Sequence, residues 1–187
     1  SDLRHRPLGR SLGVAAVSHP VAEERPVEHG DALNVIRTII AEAPGPEAAA
    51  QRAVEALHDR FTHYDWIGIY WVDQPAQELV LGPWIGPEAT EHTRIPIGTG
   101  ICGAAAASGQ TEIVHDVDAD PRYLACFSTT RSEIVVPIFA DGQVIGEIDI
   151  DGSDIGAYDE TDARFLEEVA ALLAPLHHRL DSVDSQA

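Results

Sequence analysis

The spacing of apolar side chains changes twice along this chain. In residues 31–40, 50–61 and 159–176 they recur every three or four positions, which is typical of helices that bury one face. Between the second and third of these segments the chain carries short runs of β-branched and aromatic residues, which favour strands. The strands are expected at 66–72, 78–81, 94–97 and 112–114, with a hairpin over 132–151 and a short helix over 104–108.

The hairpin at residues 132–151 contains an Asp-Gly pair, a frequent turn sequence. A two-residue loop would mix polar and apolar side chains on each face. A three-residue loop over 140–142 would pair Ile134 with Ile148 and leave one face wholly apolar. Since a slip by one residue exchanges the two faces, burial of one face favours the three-residue loop.

The other face of this hairpin is acidic. In the same register Glu133 lies opposite Asp149, with Glu147 and Asp151 on the same face. Carboxylates crowded on one sheet face are costly unless they meet solvent or a ligand. We therefore expect an α+β domain with a central antiparallel sheet. The N- and C-terminal helices would pack on its apolar face, and loops would cover a ligand pocket on the other.

Residues 30–180 are expected to form one domain, after a flexible arm at 1–29 and before a tail at 181–187.

Composition limits the compartment and the partners. The net charge of −19 disfavours nucleic acid and favours a cationic or zwitterionic ligand, although a solubilising acidic surface explains most of it. No apolar run is long enough to cross a membrane, and two cysteines make no disulfide framework. A cytoplasmic protein is the expectation.

Metal and phosphate sites find little support in the spacing of the motifs. The nine histidines and two cysteines form no CxxC or HExxH pattern, so no metal site and no cofactor are expected. The glycine-rich segment 98–103 lacks the lysine of a phosphate-binding loop. It leads into a helix, whose N-terminal amides could hold a carboxylate and lower the pKa of the Cys102 thiol.

Seven motifs occur here in the order in which they occur in one known family. They are Asp65-Trp66-Ile67-Gly68-Ile69-Tyr70, Leu81-Gly82-Pro83-Trp84-Ile85-Gly86, Arg94-Ile95-Pro96, Gly100-Ile101-Cys102-Gly103, Ala125-Cys126, Ser132-Glu133-Ile134-Val135-Val136-Pro137 and Ile148-Asp149-Ile150-Asp151. Over residues 30–175 they resemble the free methionine-(R)-sulfoxide reductases, which have the GAF fold. The resemblance implies thiol-dependent reduction of free L-methionine (R)-S-oxide to methionine, with thioredoxin as the reductant.

The resemblance also implies roles for both cysteines. Cys126 stands where the family has its attacking cysteine, and Cys102 where some members have a resolving one. The attack would leave a sulfenic acid, which the second thiol would convert to an intramolecular disulfide. A third family cysteine is His92 here, so Cys102 is the only internal partner. The alternative is that both thiols are small buried hydrophobic side chains.

Five further residues match the family's substrate pocket. Trp66 and Tyr70 match aromatic positions beside the substrate's methyl group, although strand packing would also explain them. Glu133, Asp149 and Asp151 match the polar floor, where we expect them to share ammonium binding and sulfoxide protonation. Glu133 is the preferred proton donor, because a carboxylate opposite it would raise its pKa. A solvated acidic face is the alternative.

A second class of function remains open. A GAF module without catalysis could bind a small ligand and signal through its terminal helices. Such a sensor is normally joined to an output domain, for which these 187 residues leave no room, so the enzyme is the preferred interpretation. The terminal helices could also join two copies in a homodimer.

Overall fold

The computed structural model describes the backbone of residues 25–184 and the side chains of residues 27–178. The helices are α1 (Arg25–Glu42), α2 (Pro46–Arg60), α3 (Gly100–Ser108) and α4 (Glu160–Asp184), with a 3₁₀ turn at Val117–Ala119. The strands are β1 (Trp66–Asp73), β2 (Glu78–Ile85), β3 (Arg94–Pro96), β4 (Glu112–Val114), β5 (Ser132–Ala140) and β6 (Gln143–Gly152).

All six strands form one antiparallel sheet in the order β3-β2-β1-β6-β5-β4. Helices α2 and α4 pack against one face and α1 packs on these two helices, while α3 packs on the other face. The predicted α+β fold, with terminal helices on one face and a loop-covered region on the other, is confirmed. In the part of the chain described here, no helix is both long and apolar enough to cross a membrane.

The first helix begins earlier than expected. It starts at Arg25 rather than Asp31, so residues 25–29 are helical and do not belong to a flexible arm. The ring of His29 stacks on Phe165 with centroids 4.2 Å apart, and it contacts Phe61 edge-on. An imidazole thus supplies packing surface that a count of apolar residues overlooks. Residues 1–24 and 185–187 lie outside the described residues, and the predicted end of the domain at 180 falls inside α4.

The predicted loop of the β5–β6 hairpin is wrong. Ala140 pairs with Gln143, so the turn contains only Asp141 and Gly142. Both residues have positive φ angles, of 50° and 76°, as a type I′ turn requires. This turn matches the twist of the strands, and Asp and Gly tolerate its backbone, which explains why the two-residue turn is preferred.

A β-bulge next to the turn preserves the two faces of the hairpin. The register shifts between Ile138 and Phe139, and beyond the shift Ile134 pairs with Ile150. Its expected partner was Ile148, two residues away. Because side chains alternate with a period of two, this change of pairing leaves every residue on its predicted face. The separation into an apolar and an acidic face is therefore confirmed.

The main core lies between the apolar sheet face and the three helices on it. Its fully buried strand residues are isoleucines and a valine, namely Ile67, Ile69, Ile134, Val136, Ile138, Ile148 and Ile150. A second cluster, on the opposite face, contains Trp66, Tyr70, Ile101, Cys102 and Phe127. This second cluster surrounds the acidic side chains and forms the walls of the candidate site.

Candidate active site

Four acidic side chains are buried on the face of the sheet that α3 and the loops cover. Glu133 on β5 and Glu147, Asp149 and Asp151 on β6 are each at most 5% exposed. In the described part of the chain, none of them takes part in a salt bridge with arginine or histidine. A cluster of this kind is costly in free energy unless its members are protonated or meet a ligand.

The pairing within the acidic cluster differs from the expected one. Glu133 lies opposite Asp151, while Asp149 lies opposite Val135, because the bulge has moved the register by two residues. Asp149 is nevertheless a diagonal neighbour of Glu133, and each of the two carboxyl groups shifts the pKa of the other. The predicted acidic patch therefore exists, but the residue facing Glu133 is Asp151.

Strand β1 brings the two predicted aromatic residues to the same face. Trp66 pairs with Asp151, and Tyr70 with Glu147. The Trp66 indole stacks on Trp84 with centroids 6.1 Å apart and an interplanar angle of 14°. It lies across Gly68, where a Cβ atom would be 2.3 Å from the ring. A glycine is thus required at this position for the indole to lie flat along the strand beside the acids.

The two thiols reach the site from different elements. Cys102 lies in the first turn of α3, with its Sγ atom 3.9 Å from Oε1 of Glu133. Cys126 lies in the loop before β5, and its Sγ atom is 3.4 Å from the Leu124 carbonyl oxygen. Cys102 is buried and Cys126 is partly exposed. Neither thiol is in a disulfide in this structure.

One small cavity has both thiols in its wall. It is lined by His92, Ile95, Gly100, Ile101, Cys102, Leu124, Cys126, Glu133 and Asp149. Four predicted site residues are thus brought together, while Trp66, Tyr70 and Asp151 lie beside the cavity through strand pairing. Water could occupy only about 10 Å³ of this space, roughly one molecule. An amino acid can enter only when the covering loops move.

His92, which stands in place of a third cysteine, connects the covering loops. Its Nε2 atom is 3.3 Å from the carbonyl oxygen of Ala125, the residue before Cys126. The hydroxyl of Tyr70 donates a hydrogen bond of 2.8 Å to the carbonyl oxygen of His92. The contacts of His92 therefore link strand β1, the segment before β3 and the Cys126 loop, and would change when the cavity opens.

The carboxyl groups in the cluster do not share one protonation state. Burial, reinforced by the negative charges of Asp149 and Asp151, raises the pKa of Glu133 well above its usual range. Burial and the charge of Asp149 do the same for the pKa of Asp151 and of Glu147. Burial raises the pKa of Asp149 only to about 6, because hydrogen bonds from Glu133 and Cys102 favour its charged form. Asp149 is therefore mostly ionised at neutral pH, whereas burial favours the protonated forms of the other three.

Both thiols are held in the protonated form. Burial raises the pKa of Cys102 and of Cys126, and in each case the charge of Asp149 raises it further. The expectation that the α3 N-terminus would lower the Cys102 pKa is wrong. A helix dipole contributes at most about 2 kcal/mol, which burial beside several carboxyl groups outweighs.

Residues outside the predicted set also belong to this site. Glu147 is 0% exposed, and the Cys102 thiol interacts with its carboxyl group. Alternation along β6 placed it on the acidic face, but nothing in the sequence indicated that α3 would cover it. Thr130 lowers the pKa of the Asp151 carboxyl against the effect of burial, and no sequence pattern pointed to it.

Cys102, Glu133 and Asp149 each offer one ligand atom within 4.8 Å of the others. These are donor types that Zn²⁺ accepts, and they come from three elements, so motif spacing could not reveal them. The same atoms face the cavity, so an ion bound there would compete with any substrate. The absence of a metal site stays a prediction.

Comparison with protein families and solved structures agrees with this geometry. The GAF domain family model matches residues 45–175. The free methionine-R-sulfoxide reductase of Escherichia coli is 37% identical over 117 residues, which are 63% of this chain and 68% of that protein. The enzyme of the same name from Saccharomyces cerevisiae is 45% identical over 112 residues, covering 58% of this chain and 61% of its own.

A solved structure extends the similarity to nearly the whole chain. The X-ray structure of free methionine-R-sulfoxide reductase from Neisseria meningitidis, in complex with its substrate, superposes with a TM-score of 0.79. The sequences are 38% identical, and the superposition covers 91% of this chain and 99% of the other. The chain therefore belongs to the GAF-domain family and, within it, to the free methionine-R-sulfoxide reductases.

Proposed function

We propose that this chain reduces free methionine-(R)-sulfoxide to methionine, with Cys126 as the attacking thiol. The observation that carries the proposal is one cavity with a partly exposed thiol, a buried thiol and a carboxyl of raised pKa in its wall. Sulfoxide reduction by thiols needs a nucleophile, a proton donor and a second thiol. The substrate complex of the similar Neisseria meningitidis enzyme supports the same choice of substrate.

The acidic floor suits the ammonium group of a free amino acid. Asp149 is ionised at neutral pH and lines the cavity, so it is the natural partner of this cation, with Asp151 beside it. The substrate's methyl group would contact the face of Trp66. An incoming ammonium also offsets the negative charge that raises the thiol pKa, so substrate binding itself favours the Cys126 thiolate.

The oxygen transfer then requires two proton movements. The Cys126 sulfur attacks the sulfoxide sulfur while its proton passes to the ionised Asp149 carboxylate. Glu133, whose raised pKa favours its protonated form, donates a proton to the sulfoxide oxygen. The oxygen ends on the Cys126 sulfur as a sulfenic acid, methionine is released, and the thiol has been oxidised by two electrons.

The second thiol and an external dithiol would complete the cycle. Cys102 attacks the sulfenic acid, forming a disulfide with Cys126 and releasing water. Thioredoxin, the reductant that the family resemblance implies, then returns both thiols. A cycle that alternates free thiols and a reducible disulfide suits a reducing compartment, so we place this activity in the cytoplasm.

The test is incubation with racemic free methionine sulfoxide and dithiothreitol, with each diastereomer followed by chromatography. Wild-type protein should consume the R form, and Cys126→Ser should form no methionine. Cys102→Ser should form one equivalent of methionine per enzyme and recycle poorly. Without reductant, substrate should produce a Cys102–Cys126 disulfide in peptide mass maps. Full activity of Cys126→Ser would overturn the assignment, and tight binding without turnover would favour the sensor.

A further inference from the structure

Glu147 is a buried acid that the proposed reaction does not use. Its side chain is fully buried on β6, between Tyr70 of β1 and Pro137 of β5 in the sheet register. The Cys102 thiol is close enough to interact with it, yet neither carboxyl oxygen has a hydrogen-bond partner of good geometry among the described residues. An unpaired buried carboxyl is stable mainly in its neutral form, so it holds a proton beside the sulfur.

Glu147 differs from its acidic neighbours in what it faces. Glu133 and Asp149 line the cavity, whereas Glu147 does not. A substrate in the cavity therefore meets Glu133 and Asp149 first, while Glu147 interacts with Cys102 from outside the cavity lining. Its proton is available to that thiol rather than to the sulfoxide.

The exposure of the two sulfurs decides which one a reductant can attack. Cys102 is 6% exposed and belongs to the first turn of α3, whereas Cys126 is partly exposed on a loop. An incoming thiolate must approach a disulfide sulfur directly. Attack at Cys126 makes Cys102 the leaving group, and its sulfur would then depart as an anion into a buried, acidic environment.

We propose that Glu147 protonates the Cys102 sulfur as this leaves the Cys102–Cys126 disulfide, an inference that rests on the function proposed above. The reductant's thiolate forms a bond to the Cys126 sulfur, the disulfide breaks, and the electron pair moves to Cys102. Glu147 supplies the proton and is reprotonated from solvent. The second thiol of the dithiol then releases Cys126, so the reductant is oxidised by two electrons and both cysteines are thiols again.

The neighbouring acids are less suited to this step. Asp149 is ionised at neutral pH and has no proton to give. Glu133 lies 3.9 Å from the Cys102 sulfur, but it faces the cavity, where its proton serves the sulfoxide. Glu147 has the proton, the contact with Cys102 and no other partner among the described residues.

The test separates recycling from sulfoxide chemistry. Enzyme is oxidised with diamide, and reduction of its disulfide by dithiothreitol is followed by quenched alkylation, so no methionine sulfoxide is needed. Glu147→Gln should slow this reduction by about 10²-fold, the lower end of general acid catalysis. Glu147→Asp keeps the acid and should recover most of the rate. Glu168→Gln, an exposed acid on α4, is the matched control and should react like the wild type.

Two outcomes would overturn the proposal. One is wild-type reduction kinetics in a folded Glu147→Gln variant. The other is a mixed disulfide on Cys102 when the oxidised wild type reacts with glutathione, since the proposal places it on Cys126. Failure of methionine formation in the wild type would instead refute the proposed function and leave the diamide experiment interpretable.

If Glu147→Gln does not fold, the pH dependence of disulfide reduction in the wild type tests the proposal instead. The rate constant for reduction, corrected for the thiolate fraction of dithiothreitol, should fall with rising pH as the acid loses its proton. The titratable groups that face Glu147 are Cys102, Glu133, Asp149 and Tyr70. The fall should persist in Glu133→Gln, and a flat profile in the wild type would contradict the proposal.

Discussion

The two faces of strand β6 are equally buried but contribute to the free energy of folding with opposite signs. Ile148 and Ile150 are at most 1% exposed against the helices, and each stabilises the fold by about 1.5–3 kcal/mol. Glu147, Asp149 and Asp151 are at most 3% exposed on the other face, where burial disfavours their charged forms. Along this strand, the isoleucines stabilise the fold, and the acidic residues that alternate with them form part of the candidate active site.

The segments that cover the two faces of the sheet also differ. On the apolar side, α2 and α4 pack against the strands, and α1 packs on these two helices. On the acidic side, the segments before β3 and β5 close a cavity with room for about one water molecule. The helices on the apolar side have to stay packed for the protein to remain folded. The segments on the acidic side have to move before a substrate can enter the cavity.

The strongest test of this contrast is a change that affects chemistry and leaves the fold intact. Glu133→Gln removes the proposed proton donor and should lower kcat by about 10²–10⁴-fold, without lowering the free energy of unfolding. Steady-state kinetics with free methionine sulfoxide and urea unfolding measure the two quantities. Glu168→Gln should alter neither. Wild-type kcat in the Glu133 variant would assign the acidic face to solubility alone and favour the sensor.

A substitution on the apolar face should lower the free energy of unfolding and leave kcat unchanged. Ile148→Ala leaves a cavity beneath the helices and should lower the free energy of unfolding by about 2–5 kcal/mol. Because the site face of β6 is unchanged, the folded variant should keep its kcat. Urea unfolding gives the first quantity, and Val27→Ala, at a position 68% exposed, should cost less than about 0.5 kcal/mol. A loss of stability no larger than that of the control would contradict the contrast.

Asp149→Asn should stabilise the protein, weaken substrate binding and, because it removes the proposed acceptor of the Cys126 proton, lower kcat. The folded-state pKa of Asp149 is about 6, against an ordinary value of 3.8, so its ionisation at neutral pH destabilises the fold. The neutral amide should remove this cost and raise the free energy of unfolding by up to about 3 kcal/mol. Loss of the charged hydrogen bond to the substrate ammonium, about 1.5–3 kcal/mol, should raise KM.

The pH dependence of stability provides the control for this change. Between about pH 4 and 6 the folded state binds more protons at Asp149 than the unfolded state does. Wild-type stability should therefore decrease as pH rises through that window, and Asp149→Asn should show a smaller decrease. Urea unfolding at pH 4.5 and 7 would show it. An equal slope in both proteins would mean that Asp149 is not the group that titrates there.

The smallest effect is expected at the turn that joins β5 and β6. Gly142→Ala places a side chain at a φ angle of 76°, which should cost about 1 kcal/mol of stability. No atom lies within 4 Å of the added Cβ, so the cost is conformational alone. Activity should be unchanged, because the apolar face beyond the bulge holds the register. A large loss of activity would show that the turn itself positions the site.

Much of this organisation could be predicted from the sequence. The alternation at Ile148, Asp149 and Ile150 assigns faces without knowledge of the pairing, because side chains of a strand point to opposite sides with a period of two. The motif order identified the family and the roles proposed for Cys126 and Cys102. The register could not be obtained in the same way, because any shift by two residues preserves the faces equally well.

Only the tertiary structure determined which of these residues lie next to one another and how their pKa values are shifted. Cys102 and Cys126 come from a helix and a loop 24 positions apart, and packing against β5 and β6 places both at one cavity. The bulge beside Ile138 made Asp151 the partner of Glu133. The covering by α3 buried Glu147 and raised the pKa of the Cys102 thiol. Protonation depends on the solvent and charges around a group in three dimensions, which local sequence does not specify.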